Sequence, residues 1–254
     1  MKRPLFYISI LFLLFINACE IEHEVMCYPQ RVKTVSGADA TITADYKYEG
    51  NLLDHIVWSN SQTHYFSYST EDQLVKIEEF NYKQLIKKEL RMDYEGDQLM
   101  RVDKFISRLD YQTRTEEDTS YLAYHTFDHS GGEVSEEEVY IRNDESEDFT
   151  LRFKKEYDYD LSGNISSMVS MDVVSGDTAE AYTFSYDYHK NPFNALKLYF
   201  NGESFINNVL QREDLVNDKV YTYQVIYNAS QYPQQINIKE GILIQVITFD
   251  YTCE

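Results

Sequence analysis

Residues 157–168 have the sequence YDYDLSGNISSM: two tyrosines alternate with aspartates, a polar turn follows, and two apolar residues come after it. Alternation with a period of two places Tyr157 and Tyr159 on one face of a strand. Gly163 and its polar neighbours are the residues that hairpin turns favour. Ile165 and Met168 belong to a return strand. The stretch therefore predicts a strand, a turn and a second, antiparallel strand.

The same pattern recurs along the chain. Clear copies are Tyr46-Lys47-Tyr48 with Leu53 and Ile56, Phe66-Ser67-Tyr68 with Leu74 and Ile77, and Met92-Asp93-Tyr94 with Leu99 and Val102; looser copies are Phe127 with Val134, Tyr186-Asp187-Tyr188 with Leu196, and Tyr227 with Ile236. About seven hairpins give roughly a dozen or more strands, too many for a flat sheet. We therefore expect an all-β, antiparallel meander that forms a strongly curved sheet or a partly open barrel.

Three polar inserts interrupt the pattern, at Asp110 to Ser120, Ser135 to Glu138 and Asn143 to Asp148. We expect them to be long connections or exposed strand edges, where charge opposes edge-to-edge aggregation. The copy around Phe127 to Val134 departs from the pattern, which predicts a loop there. No composition shift divides the chain after about residue 40, so residues 41–254 are expected to form a single domain.

The N-terminus has the features of a secretory signal. Lys2 and Arg3 precede a short apolar run, and residues 16–19 (INAC) resemble the lipobox of bacterial lipoproteins, in which the cysteine is diacylated. We expect a signal peptide at 1–18, and a lipidated Cys19 with its tether at 19–40. An ordinary signal peptide ending near a cysteine is the alternative. Acidic residues at 20–24 favour the outer face of the outer membrane, with the periplasmic face as the alternative.

Two phrases carry a resemblance to known repeats. YDYDLSGNI at 157–165 and YDYHKNPF at 186–193 resemble the YD repeats of Rhs-type surface proteins. Residues 25–254 are similar to a domain family of unknown function with a porin-like fold, found in bacterial lipoproteins; the phrase Asn191-Pro192-Phe193 is the most specific part. The resemblance implies a porin-like strand arrangement and carries no established activity. The predicted strands carry too many charges for a lipid-facing surface, so we expect a water-soluble, tethered domain.

Charge and cysteine content limit the partners. The 43 acidic and 23 basic residues give a formal charge of −20. Such a surface repels nucleic acid. If lipid occupies Cys19, Cys27 and Cys253 remain, and in an oxidising compartment they are expected to pair. In the chain-entropy model a loop of this length contributes roughly 4 to 5 kcal/mol. Two separate free thiols are the alternative.

Catalytic signatures are missing from the sequence. It contains no HExxH, GxSxG, phosphate-loop or dinucleotide pattern, so we expect no enzyme and no cofactor. Asp158, Asp160 and Ser162 match the first half of a calcium loop, but position twelve is Val169 and a hairpin turn needs the same residues. We favour the turn. His125 and His129 could share a metal, but we find no third ligand and favour a structural role.

The 23 tyrosines suggest either cross-strand packing or an aromatic platform for sugar rings. Packing is the simpler interpretation. The candidate ligand-binding side chains are Tyr48, Tyr68, Tyr94, Tyr159, Tyr188 and Trp58. The function we predict is a membrane-tethered module that binds a glycan or peptide. The alternatives are an envelope scaffold that binds protein along a sheet edge or an acidic face, and a hydrolase. The oligomeric state is left open.

Overall fold

The computed structural model describes residues 26–37, 40–81, 85–110, 113, 115–143, 147–193 and 205–253. Among these residues no helix is long and apolar enough to cross a membrane. The described residues form sixteen strands: β1 (Cys27–Ser36), β2 (Ala40–Glu49), β3 (Leu52–Trp58), β4 (Thr63–Tyr68), β5 (Leu74–Phe80), β6 (Ile86–Glu95), β7 (Gln98–Leu109), β8 (Glu116–Ser130), β9 (Glu133–Arg142), β10 (Phe149–Tyr159), β11 (Ile165–Asp172), β12 (Thr178–Lys190), β13 (Asn207–Asp214), β14 (Lys219–Tyr227), β15 (Pro233–Glu240) and β16 (Ile242–Cys253).

The strands close into a barrel. Each strand pairs antiparallel with its sequence neighbours, and β1 also pairs with β16. The predicted all-β antiparallel fold is confirmed, and the sheet is a closed ring rather than a partly open one. Closure satisfies the backbone groups that an open sheet would leave at two edges.

The repeated phrase forms hairpins because the apolar residues of its first strand and those of its return strand lie on the same face of the sheet. In the clear copies the first hydrophobic residue is buried in the barrel with the apolar pair that follows the turn; Tyr46, Leu53 and Ile56 are one such set. Gly50 and Gly96, at the turns of two copies, have φ of 60°, a left-handed backbone that glycine adopts without strain. Local turn chemistry and face alternation therefore specify each hairpin.

The two ends of the barrel differ. We call the end with the repeat turns, residues 49–52, 95–98 and 160–164 among them, the sealed end, because the buried apolar residues lie beside these turns. The strand register places Ile42, Lys88, Ile141 and Glu180 on the lumen face near the opposite end, and these side chains are exposed. The lumen is therefore open to solvent at that end, which we call the open end.

The two chain termini together form one further copy of the hairpin. Phe249 and Tyr251 on β16 take the places of the alternating aromatics, and Val32 on β1 joins Phe249 in the buried core. A disulfide between Cys27 and Cys253 stands where the other hairpins have a turn. The predicted cysteine pairing is confirmed.

The prediction for the copy around residue 127 was wrong. Residues 127–134 belong to the β8–β9 hairpin, and both Phe127 and Val134 are buried in the core. The polar insert Ser135 to Glu138 also lies within β9, and Glu116 to Ser120 begin β8. Charged residues enter these strands because the side chains that face the lumen find partners there, as shown below for Glu137.

Two predicted boundaries also shift. Strand β1 begins at Cys27, inside the segment 19–40 that we assigned to the tether. It was missed because it carries only half of a hairpin phrase. The copy near residue 186 is displaced by two residues: Phe184 packs against the core and Tyr186 stacks on Phe184, whereas Tyr188 is 85% exposed.

Candidate functional site

Four neighbouring strands, β6 to β9, form a pocket on the lumen face between the apolar core and the open end. Successive pairs of the ladder place these side chains side by side: Leu90 lies opposite Lys104, and Val102 opposite His125. The cavity itself holds about 20 Å³, room for a water molecule, and it opens into about 300 Å³ of space that includes open solvent. We call this site the lumen pocket; its lining residues are Leu90, Met92, Val102, Lys104, His125, Phe127 and Glu137.

Glu137 is the most buried charged side chain of the pocket, with no exposed surface. Its carboxylate accepts a hydrogen bond from the Tyr157 hydroxyl at 2.6 Å and another from Nδ1 of His125. The Lys155 ammonium lies 3.4 Å from the same carboxylate. Burial alone would raise the pKa of Glu137, but these three partners outweigh it and hold the pKa below its ordinary value. Glu137 is therefore a buried, ionised and fully partnered carboxylate.

His125 is the donor that faces Glu137. Burial lowers the pKa of His125, and the positive charges of Lys104 and Lys155 lower it further, while the hydrogen bond to Glu137 acts in the opposite direction. The net shift is downward, so the imidazole is neutral at pH 7. Its Nδ1–H donates to Glu137, which fixes the tautomer and leaves Nε2 as an acceptor.

Lys104 differs from the other charged groups of the pocket because no described residue makes a hydrogen bond or ion pair with its ammonium. Its neighbours across the ladder are Leu90 and Ala123, which offer no charge. Burial lowers the pKa of Lys104, Glu137 and Glu79 raise it, and Lys155 lowers it, with a downward net result. A half-buried ammonium thus faces the pocket without a partner.

The lumen pocket therefore combines an apolar floor with a polar wall. Ligand sites generally have this composition, with a few fixed polar groups over a hydrophobic surface. The shifted pKa values of three neighbouring groups point the same way. Sequence analysis missed the site because Glu137 lies in a predicted insert. The available signal was alternation: Glu137 and Val139 lie two apart, as do His125 and Phe127, so each titratable side chain shares a face with a core residue.

Comparisons with known proteins show the fold. No protein-family model matches the chain, and no curated protein matches it. A porin-like protein from Bacteroides vulgatus has a similar structure, with a TM-score of 0.51 and 11% identity over 89% of this chain and 98% of that one. The fold is porin-like. A porin-like protein from Bacteroides uniformis (14% identity, 88% and 96% covered, TM-score 0.33) and a Bacteroides fragilis protein of unknown function (14%, 54% and 86%, 0.28) are more distant.

Four of the predicted ligand-binding tyrosines have structural partners in the porin-like barrel. Each is half-buried against the core, and its hydroxyl donates to a backbone carbonyl in the adjacent hairpin. The bonds are Tyr48 to Pro29 at 2.7 Å, Tyr68 to Leu53 at 3.0 Å, Tyr94 to Leu74 at 2.9 Å and Tyr159 to Val134 at 2.8 Å. The ring of each tyrosine contacts the core and its hydroxyl is hydrogen-bonded, which favours the packing interpretation over a ligand platform.

The two other predicted side chains lie far apart. Tyr188, near the sealed end, rests on the His189 ring with centroids 4.2 Å apart. Trp58 ends β3 at the open end, with its ring 5.8 Å from that of His64. The Trp58 indole N–H is buried and has no hydrogen-bond partner among the described residues. The six predicted side chains therefore do not form one platform.

The calcium candidate is a hairpin turn. The Asp160 carboxylate accepts hydrogen bonds from the amides of Ser162 at 2.8 Å and Asn164 at 3.0 Å, and Asp158 accepts one from the Ser167 hydroxyl at 2.7 Å. Across the part of the chain that the structure describes, no three His, Cys, Asp or Glu side chains are grouped to hold a metal. Cys19, the predicted lipidation site, lies outside the described residues.

Aromatic rings also line the outer face of β7 to β10, where the register places Phe105 and Tyr121 opposite each other. These two rings stack at 4.7 Å, and Tyr124 stacks on Tyr140 at 4.5 Å. The guanidinium of Arg101 covers the Tyr124 ring at 4.0 Å. Since these rings stack on one another and under arginine, the set stabilises cross-strand pairing.

Proposed function

We propose that this chain is a lipid-tethered protein of the bacterial envelope that binds a ligand in the lumen pocket. One observation carries the proposal: the barrel is filled at its sealed end, yet its open end leads to a pocket with a charged wall and an apolar floor. Glycan and peptide fragments are the ligand classes that the sequence suggested.

The scaffold alternative has less support from the geometry. Edge-to-edge binding of a protein needs a strand with unpaired backbone groups, and the described strands form a closed ring without an edge. Such a scaffold would instead use an acidic surface, in line with the formal charge of −20.

The proposed lipid anchor would orient the barrel relative to the membrane. The first barrel strand begins at Cys27, at the sealed end. Lipid on Cys19 would be joined to that strand by residues 20–26, which span at most roughly 30 Å when extended. The proposed anchor therefore holds the sealed end towards the membrane, and the open end of the lumen points away from it.

Ligand binding is tested by methyl NMR of the intact protein. Met92 lies on the pocket floor, whereas Met171 is exposed on another strand, so their methyl groups give a site signal and an internal control. We expect pools of glycan and peptide fragments to shift the Met92 signal and leave that of Met171 in place. Equal shifts of both signals, or none in any pool, would count against binding in the lumen.

Anchoring is tested in cells. Cys19→Ala should move the protein from the membrane fraction to the soluble fraction, while Cys27→Ala should leave it on the membrane. Protease shaving of intact cells then distinguishes the two faces of the outer membrane: digestion supports outward display, and protection supports the periplasmic face. Membrane retention of the Cys19 variant would contradict lipid tethering.

A further inference from the structure

The lumen pocket differs in charge from the chain around it. Acidic residues outnumber basic ones 43 to 23 over the whole sequence. Around the pocket the lumen face carries three lysines, Lys88, Lys104 and Lys155, and two carboxylates, Glu79 and Glu137, while the neighbouring His125 is neutral. A positive site inside an acidic molecule selects for anions, because the low-dielectric wall of a cleft concentrates its field.

The pairing within the pocket leaves one cation unused. Glu137 already accepts hydrogen bonds from His125 and Tyr157 and forms an ion pair with Lys155. The Lys104 ammonium makes no hydrogen bond or ion pair with a described residue, although burial disfavours its charge. Burial removes part of the hydration of the Lys104 ammonium. A bound anion would compensate for that loss by accepting a charge-assisted hydrogen bond from the ammonium.

The floor beneath Lys104 restricts the ligand further. Met92, Val102 and Phe127 are buried and apolar, and Leu90 packs against the same core. A small inorganic anion would leave this surface unused. A ligand with an apolar group next to its charge would cover it and gain the corresponding hydrophobic free energy.

We propose that the lumen pocket binds a carboxylate attached to an apolar group, with the carboxylate on the Lys104 ammonium and the apolar group on the floor formed by Leu90, Met92, Val102 and Phe127. The proposal rests on the lumen being the binding site, as argued above. Two kinds of molecule present this chemistry: a small free carboxylic acid, and the C-terminus of a peptide that ends in an apolar residue. Binding requires no covalent step.

Matched pairs of probes test the proposal on the full, intact protein. One pair is hexanoate and neutral hexanamide; the other is the dipeptide alanyl-leucine and its C-terminal amide. Calorimetry gives the affinities, and the Met92 methyl signal reports the site. We expect at least one acid to bind tenfold or more tightly than its amide. The acid that binds tighter identifies the source of the carboxylate.

Variants separate the role of Lys104 from general electrostatics. Lys104→Met keeps the chain length and removes the charge, so the affinity for the acid should fall tenfold or more, to that of the amide. Lys104→Arg should retain binding. Lys88→Met removes a more exposed lumen lysine on β6 and should change the affinity less than threefold.

The outcomes distinguish this inference from the proposed function. Amides that bind as tightly as the acids, with a shifted Met92 signal, would overturn carboxylate recognition and leave lumen binding intact. A Met92 signal that no probe, glycan pool or peptide pool shifts would refute lumen binding itself. If Lys104→Met does not fold, the comparison of acids with amides in the unaltered protein still decides the question.

Discussion

At the residue scale, Glu137 shows how the barrel accepts charge inside. A carboxylate with no exposed surface is tolerated because His125, Tyr157 and Lys155 satisfy it. Glu137→Ala would leave the Lys155 ammonium and two polar groups without their partner. We therefore expect the free energy of unfolding to fall by about 3 to 5 kcal/mol, measured by urea denaturation.

A neighbouring residue gives the control for Glu137. Glu136 points to the opposite face of β9 and forms a half-exposed ion pair with Lys154 at 2.7 Å. Because solvent screens such a surface pair, Glu136→Ala should have a much smaller effect than Glu137→Ala. Similar losses in the two variants would show that the buried network does not stabilise the barrel.

The same network predicts a dependence of stability on pH. Since burial lowers the pKa of His125 in the folded protein, the unfolded chain binds more protons below its ordinary value of about 6.5. The groups that face His125 are Lys104, Glu137 and Lys155. The melting temperature should therefore be constant near pH 8 and fall as the pH drops from about 6.5 towards 5. The lowered pKa of Glu137 adds a further loss below about 4.5.

Substitution isolates the histidine contribution to this pH dependence. In His125→Gln a neutral amide can still donate to Glu137, but no proton is taken up, so the fall between pH 6.5 and 5 should become shallower. Burial also lowers the pKa of His64, which therefore acts in the same pH range. In the double variant His64→Gln, His125→Gln the melting temperature should depend on pH less still. Parallel curves for all three proteins would contradict this assignment.

At the element scale, the repeated hydrogen bond between hairpins explains why the phrase contains tyrosine. Tyr48, Tyr68, Tyr94 and Tyr159 donate to the preceding hairpin, and Tyr186 and Tyr251 do the same, to Ile165 at 2.6 Å and Pro233 at 2.7 Å. The copy in β8 has His129 at this place, and its Nδ1 is buried without a hydrogen-bond partner among the described residues. Each tyrosine thus connects its hairpin to the one before it.

Removing one such hydroxyl tests its contribution to stability. Tyr94→Phe keeps the ring and loses the 2.9 Å bond to the Leu74 carbonyl, so we expect a loss of about 1 kcal/mol in thermal or urea unfolding. Tyr65 is 41% exposed, and its hydroxyl has no bond to a described residue, so Tyr65→Phe should be nearly neutral. A loss of stability in Tyr94→Phe no larger than that in Tyr65→Phe would mean that the Tyr94 hydroxyl bond does not stabilise the barrel.

Hairpins were predictable from the sequence and the site was not, for one physical reason. In residues 157–168 both strands and the turn lie within a single short window, so local signals suffice. The partners of Glu137 come from β8 and β10, and acidic residues near Glu137 favour exposure when considered alone. A buried charge becomes predictable only when the residues opposite it in the ladder are known.

At the scale of the whole molecule, closure depends on residues from the two chain termini. Phe249 and Tyr251 face Val32 and Pro29 across the β1–β16 pair, and this copy of the hairpin has no peptide turn. In the other described hairpins the turn keeps the two strands close together even when they separate briefly. At β1–β16 the covalent link among the described residues is the Cys27–Cys253 disulfide, across 226 residues of sequence.

Loss of the disulfide should therefore have a global and a local effect. The double variant Cys27→Ser, Cys253→Ser should lower the free energy of unfolding by roughly 4 to 5 kcal/mol, because its unfolded chain is no longer a closed loop. Hydrogen exchange should also quicken in β1 and β16 before β6 and β7, since opening begins where no turn restrains the strands. Chemical reduction of the unaltered protein should reproduce both effects. Uniform protection around the ring, with unchanged stability, would instead mean that strand pairing alone holds the barrel closed.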